Sequence, residues 1–248
     1  MRIDFFFHFM VLVLLILGFT TCKKADPTDC FRVTGDDVTE SREAGKYYKI
    51  VLNDNVNLII TQDTFNSIEV TAGEKLIKKV TTRIEDSVLY ISNENTCNWI
   101  RSFDREIIAN VVVKNLSRIE YRGSGDIQCS NAIVGDSLQL DIWEGAGKIE
   151  MEVNVHRNSI FFHIGTADVY YSGHAHLSYI GATSFGPVDA REMKTQFTYI
   201  LNGGSNNCWV NADLYIGAEI NSIGNIYYYG NPETSVKGFG PGTLIKLD

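Results

Sequence analysis

One short pattern recurs along the C-terminal half of the chain and restricts its fold more than any other feature. A small or polar residue is followed by a residue unsuited to a core and then by an apolar one, at spacings of 22, 20, 19, 20 and 18 residues. A repeat of about 20 residues made of strands and turns is typical of a solenoid, in which successive coils stack on one another. The anchors of the pattern are Gly125, Gly147, Ala167, Gly186, Asn206 and Gly224.

The second residue after each anchor is always apolar and of small or medium size. Successive residues of a strand point to opposite faces, so we predict that this column faces inward and the preceding column faces outward. Stacked about 4.8 Å apart, six such coils would span roughly 30 Å. The anchors are interpreted as sharp corners, where Gly permits and Asn tolerates a positive φ. The predicted inward column is Ile127, Ile149, Val169, Val188, Cys208 and Ile226.

Further strands lie before the anchors and upstream of the repeat. A second strand precedes several anchors, for example at 138–142, 160–164, 197–201 and 214–216, which gives each coil two or three faces. Residues 45–118 also alternate with period two, and they form either irregular first coils or a small antiparallel β cap.

The predicted fold class is therefore all-β, a parallel β-helix (β-solenoid) of about six coils of ~20 residues over 119–248. An antiparallel sandwich or barrel is the rival architecture, because it also has short strands at regular spacing. It does not readily explain a column that is matched by position in six units.

The N-terminus has the pattern of an export signal. Phe5–Phe19 is apolar except for His8, and at about 15 residues it is too short for a spanning helix, which needs ~20. Small residues then lead to Cys22, as in a bacterial lipoprotein signal. We therefore predict a signal peptide at 1–21, a lipid on Cys22, a polar tether at 22–44 and the β domain at 45–248.

Charge and cysteine content indicate the compartment and exclude one class of partner. The net charge of −8, without a basic run, argues against nucleic acid as a partner. Export to the cell envelope, as an outer membrane lipoprotein on either its periplasmic or its surface side, permits disulfides. A bridge between Cys30 and Cys97 would tie the N-terminal arm to the domain, and two free thiols are the alternative. Cys129 and Cys208 are predicted to be buried thiols.

Two groups of residues are candidates for a catalytic or metal site. Asp126 and Asp168 share an outward column and could suit a hydrolase, but Lys148 lies between them, so we interpret them as a surface charge ladder. His163, His174 and His176 could approach one another as zinc ligands, although exposed histidines are commoner. The sequence predicts no catalytic residue, no metal and no cofactor.

Outward aromatic side chains are the strongest candidate for binding. The third residue after the anchors includes Tyr170, Trp209 and Tyr227, and Tyr229 lies nearby. Trp209 and Tyr227 are predicted to stack on adjacent coils. Such rings bind sugars or partner proteins, or else they cover the last coil under the C-terminal tail.

Several segments together resemble a known family. They are Asp29-Cys-Phe31, Cys97-Asn-Trp99 with Arg101-Ser-Phe103, the Gly-Ser-Gly-Asp-Ile step at 123–127, and 224–232. With the lipoprotein start, this order resembles the head GIN domain family, whose members are called putative auto-transporter adhesins. The resemblance implies a β-helical domain on bacterial lipoproteins and brings no catalytic residues.

The predicted function is a lipid-anchored, non-enzymatic envelope protein that binds a glycan or protein ligand. A carbohydrate-active enzyme on the same scaffold and a purely structural envelope component are the alternatives. The membrane is contacted through the lipid, and the oligomeric state is left open.

Overall fold

The computed structural model describes residues 34–95 and 106–248, and most of these residues lie in strands. One 3-10 turn, Ile77–Lys79, accompanies the strands in these ranges. This part of the chain contains no helix that is long and apolar enough to span a membrane. The strands are β1 Asp37–Arg42, β2 Lys49–Asp54, β3 Asn57–Gln62, β4 Ser67–Gly73, β5 Val80–Glu85, β6 Val88–Asn93, β7 Ile108–Val113, β8 Arg118–Gly123, β9 Ile127–Cys129, β10 Ile133–Gly145, β11 Lys148–Gly165, β12 Asp168–Ala182, β13 Val188–Asn202, β14 Cys208–Ile220, β15 Ile226–Tyr229, β16 Glu233–Lys237 and β17 Leu244–Lys246.

The long strands β10 to β14 each run along two faces of the solenoid. In β11 the buried positions change from odd to even numbers between Val155 and Asn158, so the strand turns there. We call the faces A and B. Face A holds β7, β3, β9, the first halves of β11 to β14, β15 and β17 in that order; face B holds β6, β2, β8, the second halves of β10 to β14, and β16.

The predicted inward column is confirmed. Each member pairs in parallel with the next one, from Ile127 to Ile226, and all six side chains are at most 1% exposed. The column continues through Leu58 and Ala109 at the N-terminal side and through Leu244 at the other. Apolar side chains in register on a parallel stack form one continuous core, which decides for the solenoid and against the sandwich or barrel.

Residues 45–118 combine both of the predicted alternatives. The first coil of the stack consists of β6 and β7. The second coil consists of β2 and β3, and the third consists of β8 and β9. The second coil therefore comes from a part of the chain that precedes the first coil in sequence. Outside this stack, β5 pairs antiparallel with β6, and β4 pairs antiparallel with β7. The antiparallel strands cap two regular coils that stand out of sequence order.

The tether predicted at 22–44 is wrong for its C-terminal part. Residues Asp37–Arg42 form β1, which pairs antiparallel with β4 along its whole length. The Thr39 and Thr71 hydroxyls lie 2.8 Å apart, and Arg42 donates to the Ile77 carbonyl at 3.1 Å. The segment reads as polar because β1 is an edge strand with one apolar residue, Val38, and it is held by backbone and side-chain hydrogen bonds.

The corner glycines are required for a different reason from the predicted one. None of the four anchor glycines has a positive φ; among glycines this conformation occurs at Gly35, Gly165, Gly173, Gly230 and Gly238. A Cβ on Gly125 would instead lie 2.0 Å from the Val56 carbonyl oxygen, and one on Gly147 would lie 2.4 Å from the Gly125 oxygen. Coils approach too closely at these corners for any side chain, so the requirement is steric.

Candidate ligand-binding faces

The predicted aromatic stack on face A is present. The rings of Trp209 and Tyr227 lie 5.5 Å apart with an interplanar angle of 14°. The guanidinium of Arg191, on the preceding coil, lies over the indole at 5.2 Å from its centroid. Because Arg191 and Tyr227 approach from opposite coils, both faces of the indole are covered. Trp209 therefore does not offer a flat platform to a ligand.

The other predicted aromatics do not extend this stack into one surface. Tyr170 is 39% exposed and has the Lys148 ammonium 5.3 Å from its ring centroid. The coil between Tyr170 and Trp209 carries Asp189, which pairs with Arg191 at 2.8 Å. Tyr229 is half-buried and pairs with Asn211 in the strand register. Their role in binding stays a prediction.

A second aromatic array, which the sequence analysis did not single out, lies on face B. Tyr179 and Tyr199 are stacked on adjacent coils, with ring centroids 5.5 Å apart and an angle of 18°. Tyr215 on the next coil lies 5.7 Å from Tyr199 at an angle of 52°. Tyr179 is 37% and Tyr199 is 43% exposed. Because the rings stack along the solenoid axis, their outer edges and hydroxyl groups form one continuous wall.

This tyrosine wall borders a groove of about 510 Å³, which we call the face B groove. Its floor contains Gly181 and Gly217, where a Cβ would lie 3.2 Å from the Phe161 ring and 2.9 Å from the Tyr199 ring, respectively. Glycine at these two positions gives the rings the space they occupy. The lining residues run from Phe161 in β11 to Ser235 in β16, so the groove crosses five strands, or ~19 Å along the axis.

Ionisable side chains lie at the two ends of the face B groove. At one end His163 is stacked on Trp143 with centroids 3.7 Å apart, and its Nε2 lies 3.3 Å from the buried carboxylate of Asp141. At the other end Lys237 pairs with Glu219 at 2.8 Å. The hydrogen bond from Lys237 lowers the pKa of the Glu219 carboxyl, so this end carries an ion pair at neutral pH.

Sequence reasoning missed the face B groove although a signal for it was present. Tyr179 and Tyr199 are separated by 20 residues, one coil of the repeat. The sequence predicts a strand at 197–201, but it predicts an outward aromatic column on face A alone. Tyr215 breaks the period because the register of β13 and β14 shifts between Ala190 and Lys194 and again between Thr195 and Phe197, which places Tyr215 opposite Phe197 and diagonal to Tyr199.

Of the two outward carboxylates, Asp126 has a structural role at the corner. Asp126 Oδ1 accepts the Lys148 backbone N–H at 2.8 Å, and the Asp126 N–H donates to Asn57 Oδ1 at 2.8 Å. Lys148 directs its ammonium to Glu150 at 2.6 Å, and this hydrogen bond raises the pKa of the Lys148 amine. Asp126 thus links three successive coils, which favours the structural interpretation of this column.

The histidines do not form the conceivable zinc site. His163 is stacked on Trp143, whereas His176 is stacked on His156 at 4.7 Å and contacts Phe197 edge-on at 5.4 Å. Within residues 34–95 and 106–248, no three His, Cys, Asp or Glu side chains are grouped to hold a metal ion.

The structure describes two of the cysteines, Cys129 and Cys208, which were both predicted to be buried thiols. Cys208 is buried and free, and burial raises the pKa of its thiol to about 12. Cys129 is free but half-buried, with Sγ 3.3 Å from Met151 Sδ, because β9 ends there and leaves the thiol at the rim of the core. Cys22, Cys30 and Cys97 lie outside the described residues, so the disulfide stays a prediction that counting free thiols in the denatured protein will test.

Several crystal structures resemble this chain in fold. A crystal structure of a putative adhesin from Bacteroides fragilis has a TM-score of 0.78 at 18% identity, over 86% of this chain and 97% of that chain. One of a putative lipid binding protein from Parabacteroides distasonis has a TM-score of 0.66 at 16% identity, over 86% and 98%. A crystal structure of a putative adhesin from Parabacteroides merdae has a TM-score of 0.59 at 17% identity, over 87% of this chain and 98% of that chain. At such identities these likenesses show the fold alone.

The comparison with family models assigns the chain to a family, which the structural likenesses do not. No curated protein matches the chain. The family model described as "Putative auto-transporter adhesin, head GIN domain" matches residues 46–232. This match covers more than half of the sequence and runs through both the out-of-order N-terminal coils and the regular ones. The chain therefore belongs to the head GIN domain family, whose description is "Putative auto-transporter adhesin".

Proposed function

We propose that this protein is a lipid-anchored adhesin of the cell envelope, without enzymatic activity, that binds a glycan chain in the face B groove. The tyrosine wall on three adjacent coils carries the proposal, since exposed rings on a rigid scaffold bury area at little entropic cost. The family membership supports adhesion as the general role.

The chemistry of the groove favours a glycan over a lipid. Sugar rings present apolar C–H faces and many hydroxyl groups, and the groove pairs aromatic walls with Tyr hydroxyls, Thr183, Ser235 and the Glu219–Lys237 ion pair. An acyl chain would leave these polar groups unpaired, at a cost of about 1–3 kcal/mol for each group removed from water. The length of ~19 Å across the strands suits an extended chain that lies along the solenoid axis.

Tyr199→Ala tests the site. Tyr199 is the central ring of the wall, so its loss should weaken glycan binding by at least ~10-fold, or about 1.4 kcal/mol. The solenoid should stay folded because the side chain is 43% exposed. Tyr48→Ala is a matched control, since Tyr48 is 52% exposed and does not line the groove. Glycan-array screening followed by calorimetry measures both.

Each other outcome assigns a different function. Loss of binding in Trp209→Ala but not in Tyr199→Ala would move the site to face A. New reducing ends released from a bound polysaccharide would indicate a carbohydrate-active enzyme. Binding to lipid vesicles or to proteins without any glycan binding would contradict the proposal, and no binding at all would favour a structural envelope component.

The anchor is tested separately at Cys22. Cys22→Ala should shift the protein from the membrane fraction to the soluble fraction, since a lipid is the expected attachment of this domain. Labelling with a radioactive fatty acid should be lost in the same variant. Unchanged membrane association and labelling would contradict lipidation at this residue.

A further inference from the structure

An uncharged row of apolar side chains lies along one edge of the solenoid. This edge consists of the corners at which each coil passes from face B to face A. Phe185 is 61%, Ile223 is 64% and Phe239 is 85% exposed, and all three lie on such corners. We call these three side chains the apolar ridge. The last four corners contain no ionisable side chain; they are 183–187, 203–207, 221–225 and 238–243.

Backbone hydrogen bonds to the preceding coil hold the ridge in place. The Phe185 N–H donates to the Gly165 carbonyl at 3.2 Å. Directly after Phe239, the Gly240 N–H donates to the Ile220 carbonyl at 2.9 Å. The ridge side chains therefore project from a fixed backbone. Exposed apolar side chains that share one edge mark a contact with a protein or with a membrane.

The opposite edge of the solenoid has a different composition. There the long strands turn from face A to face B, and the turns of β11, β12 and β14 carry the ionisable side chains Arg157, His176 and Asp213. Moving a charged group into an apolar medium is costly. Of these two edges, the one with the ridge can enter an apolar phase without that cost.

The chain enters the β domain on the same edge as the ridge. Strands β4 and β7 are antiparallel, with Thr71 opposite Ile108, the first residue of β7, so β4 ends where the parallel strands of face A begin. β1 starts beside this end of β4, and the Thr34 carbonyl accepts the Lys75 N–H at 3.2 Å. The eleven residues 23–33 join Thr34 to the predicted lipid on Cys22 and span at most about 40 Å. A bilayer that holds this lipid can therefore contact the ridge edge directly.

We propose that the apolar ridge inserts into the interface of a lipid bilayer, so that the anchored protein lies with this edge on the membrane. A row of projecting side chains suits lipid better than a protein partner, because a bilayer needs no matching groove. Apolar side chains of this kind enter the boundary between headgroups and acyl chains by about 5–10 Å. The face B groove, which follows the solenoid axis, then runs parallel to the membrane. The orientation of the anchored protein rests on the lipid in the proposed function, whereas the affinity of the ridge for lipid does not.

Brominated lipids test the contact, because they quench tryptophan fluorescence at short range. The chain from residue 22, with Cys22→Ala, is attached through an N-terminal hexahistidine tag to phosphatidylcholine vesicles that contain a nickel-chelating lipid and brominated acyl chains. Phe239→Trp should be quenched beyond the background of the native tryptophans, and its emission should shift to shorter wavelength. Leu214→Trp is the matched control, since Leu214 is 53% exposed on the opposite edge, and it should show neither change.

Phe185→Ser together with Ile223→Ser in the Phe239→Trp chain should remove most of the extra quenching. The circular dichroism spectrum should stay unchanged, because both side chains are exposed. Three results would overturn the proposal: no extra quenching of Phe239→Trp, equal quenching of Leu214→Trp, or full quenching that survives the two serine substitutions. A dimer of the untethered chain that these substitutions abolish would assign the ridge to a second copy instead. The tag replaces the lipid and glycan binding is measured separately, so each proposal can fail alone.

Discussion

Ile149→Asp is expected to prevent the solenoid from folding. Ile149 is fully buried and lies in register between Ile127 and Val169. An uncompensated charge there costs about 3–5 kcal/mol, and the lost apolar packing costs about 2–5 kcal/mol more. Their sum is comparable to the whole stability of a domain, about 5–15 kcal/mol. Circular dichroism and urea titration would show loss of the cooperative transition.

The neighbouring residue supplies the control for this prediction. Glu150 points outward on the same strand, and its carboxylate is 51% exposed beside Lys148. Glu150→Ala should therefore change the free energy of unfolding by no more than about 0.5 kcal/mol. If both variants unfold at similar urea concentrations, Ile149 does not lie in a continuous core and the stacked architecture is wrong.

Gly125→Val is expected to cause the second largest loss. A Cβ at this corner would lie 2.0 Å from the Val56 carbonyl oxygen, which belongs to the neighbouring coil and to its hydrogen-bonded corner. Neither backbone can withdraw without breaking the ladder between β3 and β9, so we expect a destabilisation of about 3 kcal/mol or more. A thermal melt should show it as a fall of roughly 6–12 °C for a domain of this size.

Gly135→Ala distinguishes this steric effect from a general effect of removing glycine. Gly135 lies in β10 with nothing within 4 Å of an added Cβ and without a positive φ. Alanine there should be neutral or should stabilise the protein by up to about 1 kcal/mol, because it reduces the freedom of the unfolded chain. An equal fall in melting temperature for both variants would contradict the close-approach explanation.

The regular coils were predictable because their signal is local and repeated. Alternation decides which residues of a strand face inward, and the period of about 20 residues places them over one another. The column from Ile127 to Ile226 and the Trp209–Tyr227 stack follow from these two facts, and both are present. The tether prediction was wrong for residues 37–42 because β1 is an edge strand held by hydrogen bonds, and its sequence has almost no alternation of apolar and polar residues.

The candidate site was only partly predictable, since it depends on neighbours in space rather than on positions in a repeat. Trp209 is outward as expected, but Arg191 and Tyr227 cover its ring from the adjacent coils. Tyr215 joins the tyrosine wall because a register shift in β14 shortens that coil. Gly181 and Gly217 leave space for the aromatic rings of the adjacent coils. This role depends on which residues are neighbours in the stack, so the sequence does not show it.

The sequence by itself determined the parallel coils, their inward column and the alternation of inward and outward residues, because each depends on a period of two within strands and of about 20 between them. The tertiary structure alone decided that β2–β3 lies between β6–β7 and β8–β9, that antiparallel strands cap this end, and that β16 leaves an open edge at the other. Such pairings join strands far apart in the chain through backbone hydrogen bonds, which are the same for every side chain and leave no pattern in the sequence.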